Sequence, residues 1–372
     1  MSNVPTIDRN ARWKALRREV LRAAGSLAIA LLVVFVVVLF TSKAPFEALE
    51  ILFTQIPLKM RTVGLWLDDA AKLTVTGLAF ALVFQARQFA LGVQGQVYVG
   101  ALASAYVVLS PLGETWAAIP LGITAAMLAG AFYGFLPGIA KARLGANEIV
   151  STLMLNYVAI ELCNFLVRTS LPKPQPGVLA TTEFPSMAVF PALVGRTRID
   201  LGLILAIVAV FVVWFALYRT SWGLKLRLVG HNPRFAEYSG IRASAIMVSA
   251  MTAAGALGGL LGAMFVQGQS YGKLLVLFEG GLAFEGILVA IVAQNRPLAV
   301  PVVALFYGYL RQGAQLMNIR SDVPAEVIGI VTAIIILLVS SSFTLPGRKA
   351  IMNFLSRGKS TAALETTKGS AK

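Results

Sequence analysis

The sequence predicts an all-α polytopic membrane protein with about ten transmembrane helices. Three observations predict this fold class: the composition, the length of the apolar blocks and the placement of the basic residues. Hydrophobic residues make up 57% of the 372-residue chain and charged residues 13%, and the mean hydropathy is +0.77. Soluble domains carry about 25% charged residues, so this chain has too few charges to cover a surface that faces water.

The apolar blocks are long enough to cross a bilayer, which requires about 20 mostly apolar residues in a helix. The first block, Leu27–Phe40, contains no charged residue. It follows a basic stretch, as in a secretory signal, but Lys43 and Pro45 make a poor cleavage site, so we interpret it as the first transmembrane helix. Helices are predicted to cross the membrane at 25–42, 70–86, 94–110, 117–140, 148–167, 200–218, 243–267, 282–294, 298–316 and 324–342.

Two segments between these spans are expected to lie outside the bilayer. The stretch Phe46–Leu67 is amphipathic and broken by Pro57, which predicts a surface helix. The loop Arg168–Asp200 is rich in proline and is expected to be external and irregular. Within the spans, glycine is frequent, and the cluster from Gly255 to Gly262 indicates close packing of helices.

The loop Arg219–Arg242 is predicted to be structured rather than a simple connection. Asn232 and Pro233 form a helix start, since Pro is favoured at the first helical position with Asn before it as the cap. A short helix is therefore expected around Arg234–Ser239. The loop is also rich in basic residues, which indicates the cytoplasmic side.

The basic residues give the predicted helices a direction. With the N-terminus inside, 21 of the 32 Lys and Arg residues fall on the cytoplasmic side, including six in segment 1–24 and six in segment 343–372. This excess agrees with the positive-inside rule. We therefore expect a basic cytoplasmic segment at 1–24, a single transmembrane domain at 25–342 and a disordered cytoplasmic tail at 343–372, with both termini in the cytoplasm.

The sequence offers no constellation for catalysis, metal binding or nucleotide binding. His231 is the one histidine and Cys163 the one cysteine, so neither a histidine metal cluster nor a histidine-based nucleophile pair is expected. The tail sequence Gly358–Ser360 lacks the first glycine of a phosphate-binding loop, because Asn353 occupies that position. The basic residues gather at the edges of apolar blocks, which argues against nucleic-acid binding.

Polar residues at membrane depth are the candidates for function, because an ionisable group there is costly. Glu161 lies in an apolar helix with Asn156, Tyr157 and Asn164. Tyr157, Glu161 and Asn164 are spaced i, i+4 and i+7, which predicts one shared helix face. That face is expected either to line a substrate path or to join helices through hydrogen bonds.

Three further polar residues have the same two interpretations. Glu285 begins another apolar run, where it serves either a pathway or gating role, or a helix cap or other structural role. Gln94 and Gln96 flank Gly95 where a helix starts after a broken segment, which suits irregular backbone beside a cavity. Function and packing remain equally open for both glutamines.

Four segments of the sequence carry a family likeness. The most specific segment is Asn147–Tyr157; the others are Gly92–Gln96 with Gly100–Ala103, Gly223–Ile241 and Phe284–Ala290. These segments resemble the permease subunits of bacterial ABC importers for nucleosides and simple sugars. The family commonly has Glu at the position of Gln94, and Asp at the position of Glu285. The resemblance covers about residues 30–345. Branched-chain amino-acid permeases belong to the same broad group but are less similar at Asn147–Tyr157.

The resemblance implies the compact ten-helix type II importer fold in the bacterial cytoplasmic (inner) membrane. It also implies three kinds of partner: a second permease, forming a heterodimer, one or more ATPase subunits, and an external substrate-binding lipoprotein. ATP and Mg would be used by the ATPase, so no cofactor is expected on this chain. The loop Arg219–Arg242 would insert into the ATPase through Gly230, His231, Asn232, Pro233, Arg234, Glu237, Tyr238 and Gly240.

Two other function classes remain as alternatives. An ion-coupled secondary transporter or channel would use Glu161 and Glu285 as proton or cation sites, and it would work without an ATPase. An intramembrane enzyme is poorly supported, since no nucleophile, metal cluster or acid–base pair is found. The leading hypothesis is the ATP-driven importer of a nucleoside or simple sugar.

Overall fold

The computed structural model describes residues 32, 35, 36, 39, 45–171, 179–195, 197–269 and 271–321. Within these residues the bounded helices are eleven α-helices and two short 3-10 helices. The α-helices are α1 Pro45–Leu58, α2 Met60–Gln85, α3 Val93–Val108, α4 Ala118–Leu144, α5 Glu148–Thr169, α6 Leu201–Arg219, α7 Ser221–His231, α8 Pro233–Tyr238, α9 Ala243–Val266, α10 Leu282–Val292 and α11 Val300–Arg320.

The chain divides into two units. All eleven helices belong to the unit Val38–Thr332, whereas the other unit consists of Met1–Val37 and Ala333–Lys372. The predicted segments 1–24 and 343–372 and the predicted last span lie outside the described residues. The predicted first span does so as well, apart from four helical residues.

Four helices are long and apolar enough to cross a bilayer: α4, α5, α6 and α9. Each coincides with a predicted span. The predicted spans at 70–86, 94–110, 282–294 and 298–316 also coincide with helices, namely α2, α3, α10 and α11. Of these, α3 has 16 residues and α10 has 11, and both are short for a membrane crossing. The helical fold class is confirmed, and the count of ten spans stays a prediction.

The prediction of one surface helix over Phe46–Leu67 is wrong in its bounds. Pro57 lies in the last turn of α1, and Lys59 is extended before α2 starts at Met60. The hydroxyl of Thr62 donates to the carbonyls of Ile56 and Lys59, both at 2.7 Å, and so satisfies acceptors at the end of α1. Residues 60–67 therefore continue into α2, and α1 packs against α11.

α2 and α9 lie at the centre of the described helices. α2 packs against α6, α9, α10 and α11, and α9 packs against α2, α3 and α4. A Cβ on Gly100 of α3 would lie 2.5 Å from Cα of Gly259, and a Cβ on Gly130 of α4 would lie 2.7 Å from the same atom. Since only glycine allows such an approach, the prediction that glycines in this span serve helix packing is confirmed.

The loop Arg219–Arg242 is more helical than predicted. The short helix started by Asn232 and Pro233 is confirmed as α8, but Ser221–His231 also forms a helix, α7. Its N-cap is Thr220, whose hydroxyl accepts a hydrogen bond from the backbone N–H of Gly223. The loop is thus a pair of helices between α6 and α9.

The described part of the loop 168–200 is irregular, as predicted, and it is anchored to the end of α9. It contains the 3-10 helix Ser186–Ala188. The side chain of Gln269 donates to the carbonyl of Phe190 at 2.6 Å, and Asp200 accepts a hydrogen bond from the backbone of Gln269 at 2.8 Å. Asp200 also caps α6, so one carboxylate fixes both the loop and a helix start.

Candidate substrate path and coupling helices

The start of α3 is held by side chains of α5. Oδ1 of Asn156 accepts a hydrogen bond from the backbone of Gly95 at 2.8 Å, and Nδ2 donates to the carbonyl of Leu91 at 2.8 Å. The hydroxyl of Thr152 accepts from the backbone of Leu91 at 3.0 Å. Asn156 is buried and bonded at both ends of its amide. It therefore fixes the irregular connection before α3 rather than facing an open surface.

Gln94 joins the start of α3 to the start of α10. Its Nε2 donates to Oε2 of Glu279 at 3.1 Å, and the same carboxylate accepts from the backbone of Gly281 at 3.0 Å and from that of Ala283. Glu279 is 2% exposed and serves as an N-terminal cap for α10. Sequence reasoning missed Glu279, because it lies in a loop where an acidic residue is not unusual.

The side chain of Gln96 lies between α3, α4 and α9, in surroundings different from those of Gln94. Its side chain is buried, and a Cβ on Gly258 of α9 would lie 2.7 Å from Cβ of Gln96. A Cβ on Gly134 of α4 would lie 3.1 Å from its Nε2. Within the described residues, Oε1 of Gln96 has no hydrogen-bond partner. The two glutamines predicted as a pair are thus in different surroundings.

One face of α5 is exposed and carries Tyr157 and Glu161. Tyr157 is 66% exposed, and Glu161 is exposed next to it. The surrounding exposed side chains, Met154, Val158 and Phe165, are apolar. This face therefore presents one carboxylate and one phenol within an apolar stripe.

Asn164 does not share this exposure, although helical spacing placed it with Tyr157 and Glu161. It is 9% exposed, on the side of α5 that packs into the protein. Its Oδ1 has no partner among the described residues. The predicted three-residue face is therefore a two-residue face, because Asn164 falls at the edge where α5 meets its neighbours.

Glu285 is an ion-pair partner. Its Oε2 lies 2.9 Å from Nη1 of Arg311 in α11, and Nε of Arg311 lies 4.0 Å from a carboxylate oxygen of Asp69 in α2. The side chains of Glu285, Arg311 and Asp69 are 27%, 17% and 19% exposed. Arg311 therefore joins Glu285 of α10 and Asp69 of α2 to α11, and this role of Glu285 agrees with the structural interpretation left open in the sequence.

A second ion pair lies within α2 and involves Asp68, the residue next to Asp69. Nζ of Lys72 lies 2.7 Å from Oδ2 of Asp68, and the two side chains are 3% and 9% exposed. The ammonium group also lies 4.9 Å from the ring centroid of Phe265 in α9. Sequence reasoning did not single out Lys72 or Arg311. The i, i+4 spacing of Asp68 and Lys72 was the available signal.

The segment predicted to contact an ATPase is largely exposed. Asn232 caps α8 by accepting from the backbone of Phe235 at 3.2 Å. His231, Arg234, Glu237 and Gly240 are exposed, and Tyr238 is 91% exposed. Pro233 is half-buried at the first position of α8.

Gly230 is the member of this segment that faces inward. A Cβ added to Gly230 would collide with the backbone carbonyl of Gln85, the last residue of α2. The Gln85 side chain in turn donates to the carbonyl of Asn295, just after α10, at 3.0 Å. α7 is therefore seated directly on the end of a central helix.

A small hydrophobic cluster packs the helix pair against the start of α9. Val229, Ala236 and Ala243 are buried against one another, with Ile241 packed beside them. These residues come from α7, α8, the following turn and α9.

In the described residues, no group of three or more His, Cys, Asp or Glu side chains could hold a metal ion.

These features define a class of protein: a multi-pass membrane protein with an exposed helix pair that contacts the end of a central helix. Residues 63–340 match the family described as "Branched-chain amino acid transport system / permease component", and the chain belongs to this family. This assignment confirms the family resemblance that the sequence motifs indicated.

Curated relatives cover most of the chain. It is 34% identical over 286 residues to the guanosine ABC transporter permease protein NupP of Bacillus subtilis, spanning 76% of this chain and 82% of the relative. It is 30% identical over 320 residues to the nucleoside ABC transporter permease protein NupB of Lactococcus lactis, spanning 82% and 88%. It is 28% identical over 342 residues to the glucose ABC transporter permease protein TsgB13 of Haloferax volcanii, spanning 89% of each. No solved structure matches the chain significantly.

The chain is accordingly a membrane permease subunit of an ABC transporter, a transport component rather than an enzyme. Membership in this family implies association with an ATPase and with a substrate-binding component. The sequence-based prediction of a transport subunit is confirmed.

Proposed function

We propose that the chain forms half of the path by which an ATP-driven importer carries a nucleoside or simple sugar across the bacterial inner membrane. The observation that carries this proposal is the 34% identity to a guanosine permease over 82% of that relative. A nucleoside permease and a glucose permease are also similar over most of their lengths. Both termini would lie in the cytoplasm, and the ten-helix type II fold would hold the path.

The exposed face of α5 fits such a substrate. The Tyr157 ring offers a surface on which a nucleobase or a sugar ring stacks. The Glu161 carboxylate accepts hydrogen bonds from ribose or sugar hydroxyls, and charge-assisted bonds of this kind are strong. An exposed carboxylate is costly against lipid, so this face would be covered by a second permease or would line the aqueous path. We place the substrate path here and assign packing roles to Asn156, Gln96 and Asn164.

Coupling to ATP would run through α7 and α8. The exposed residues His231, Arg234, Glu237 and Tyr238 would contact the ATPase, which would hold ATP and Mg itself. Because Gly230 lies against the Gln85 carbonyl, displacement of α7 would be transmitted to α2 and its neighbours. The permease would then switch access from the outside, where a binding lipoprotein delivers substrate, to the inside.

The test is transport by the complete assembly in proteoliposomes: this chain, a second permease, the ATPase and the binding protein. We expect uptake of tritiated guanosine that requires ATP and is competed by other nucleosides or by ribose. Uptake of leucine without competition by nucleosides or sugars would contradict the substrate class. Uptake driven by a proton or sodium gradient without ATPase would favour an ion-coupled transporter that uses Glu161.

A further inference from the structure

A cavity lies between the end of α6 and the segment that connects α10 to α11. It has a volume of about 380 Å³ and is lined by Trp214 and Tyr218 of α6 and by residues of Arg296–Ala299. Pro297 and Leu298 give it an apolar wall, and Arg296 adds a basic residue to the lining. None of the substrate-path or coupling residues above lines it.

Two further arginines stack on the aromatic rings of this cavity. The guanidinium carbon of Arg219 lies 5.6 Å from the ring centroid of Trp214, and that of Arg227 lies 5.0 Å from the ring centroid of Tyr218. Cations are held at such distances over aromatic faces. Three guanidinium groups are thus associated with one cavity.

The segments that line the cavity contain no carboxylate that could offset these charges. Segments 201–236 and 286–320, which contain the whole lining, include no Asp or Glu. Among the residues that the structure describes, no salt bridge involves Arg219, Arg227 or Arg296. The cavity edge is therefore positively charged and complementary to an anion.

An apolar stripe on α6 leads directly to the cavity. Ile204, Ile207, Phe211 and Phe215 are 42% to 59% exposed and recur at helical spacing, and Tyr218 continues the same face. α6 is long and apolar enough to cross the bilayer, so an exposed apolar stripe on it suits contact with an acyl chain. Trp214, Tyr218 and Arg219 near its end are residue types that favour the headgroup level.

From this arrangement we infer that the cavity binds an anionic phospholipid. The phosphate lies among Arg219, Arg227 and Arg296, and an acyl chain follows the exposed stripe of α6. Basic pockets between transmembrane helices hold anionic headgroups in this way. A free phosphate would leave the apolar wall and the stripe uncovered, so the lipid is the occupant that satisfies both parts. The inference does not depend on the transported substrate.

The test measures lipid retained by the purified full chain with native mass spectrometry. Phosphatidylglycerol and phosphatidylcholine with identical acyl chains are the probes. We expect preferential retention of phosphatidylglycerol. Arg296→Gln should weaken that retention about fivefold, because one basic residue near the membrane surface contributes about 1 kcal/mol. Trp214→Leu should weaken it as well, since it removes a cavity wall and the ring beneath Arg219.

Arg143→Gln is the matched control, because Arg143 is an exposed arginine at the end of another spanning helix, α4. Its retention of phosphatidylglycerol should equal that of the wild type. Equal retention of both lipids, or equal loss in the Arg296 and Arg143 variants, would overturn the inference. Displacement of bound lipid by millimolar inorganic phosphate alone would identify a phosphate site and would also overturn it. If Arg296→Gln does not fold, Trp214→Leu decides the same question.

Discussion

Arg311 donates a hydrogen bond of 2.9 Å to Glu285, and this ion pair joins α11 to α10. A carboxylate oxygen of Asp69 in α2 lies 4.0 Å from Nε of the same guanidinium group. One cation thus faces two carboxylates in a part of the chain where unpaired charge is costly. The three helices meet at this point, so the pair fixes their relative positions.

Removing the cation from this cluster should destabilise the protein more than removing an exposed one. Arg311→Met leaves Glu285 and Asp69 without their shared partner. We expect a loss of roughly 3 kcal/mol, at the low end for a buried pair because Glu285 keeps some exposure. The measurement is thermal unfolding of the purified chain in detergent.

Lys273→Met is the control for this experiment, because Lys273 lies 4.0 Å from the exposed Glu183 and such pairs contribute little. The double variant Glu285→Gln with Arg311→Met should recover part of the loss, since only Asp69 then lacks a partner. The ion-pair interpretation is contradicted if Arg311→Met and Lys273→Met unfold alike.

Gly230 should be essential for coupling although it is buried. Gly230→Ala places a methyl group against the Gln85 carbonyl, so α7 must move away from the end of α2. We expect insertion into the membrane to persist while ATP-dependent uptake falls at least tenfold. Gly195→Ala is the matched control, because no atom lies within 4 Å of a Cβ at that position. Normal uptake by Gly230→Ala would refute the transmission of motion through this contact.

The helix pair also shows how much of the fold could be predicted from the sequence. Asn232 and Pro233 are local signals, and the helix that they predict is present. α7 was missed because Gly223 and Gly230 disfavour a helix by about 1 kcal/mol each. Both glycines lie against backbone carbonyls, of α6 in one case and of α2 in the other. Only the packing reveals that these residues are required for close approach.

Only part of the candidate site could be predicted, again because the sequence does not show which residues pack against other helices. Apolar periodicity located α5, and its spacing correctly grouped Tyr157 with Glu161. Periodicity alone could not say which side of α5 packs against its neighbours, so Asn164 was grouped with them. Arg311 was missed because its partners, Asp69 and Glu285, lie on other helices far away in the sequence.

Asn156 should matter for stability rather than for substrate choice. Asn156→Ala removes the acceptor for Gly95 and the donor for Leu91. Leaving buried polar groups unpaired costs about 1–3 kcal/mol each, so we expect a loss of about 2 kcal/mol in thermal unfolding. The relative uptake of guanosine and ribose should stay as in the wild type. A change in that ratio with unchanged stability would place Asn156 in the substrate path.

Glu161 should behave in the opposite way. It is exposed on α5 and forms no ion pair within the described residues, so Glu161→Gln should change the stability of the chain by less than about 0.5 kcal/mol. If the carboxylate accepts hydrogen bonds from substrate hydroxyl groups, the Glu161→Gln substitution replaces a charged acceptor with a neutral amide. Hydrogen bonds to charged groups contribute about 1.5–3 kcal/mol, against about 1 for neutral ones.

The apparent KM of uptake should therefore rise roughly five- to tenfold in Glu161→Gln. Glu114→Gln provides the matched control, since Glu114 is an exposed acidic residue on a 3-10 helix between α3 and α4. Substrate lacking ribose hydroxyls separates two causes of a raised KM. If Glu161 contacts these hydroxyls, the wild type and Glu161→Gln should transport the deoxynucleoside equally well. If Glu161 instead contacts a second permease, uptake of nucleoside and deoxynucleoside should fall by the same factor.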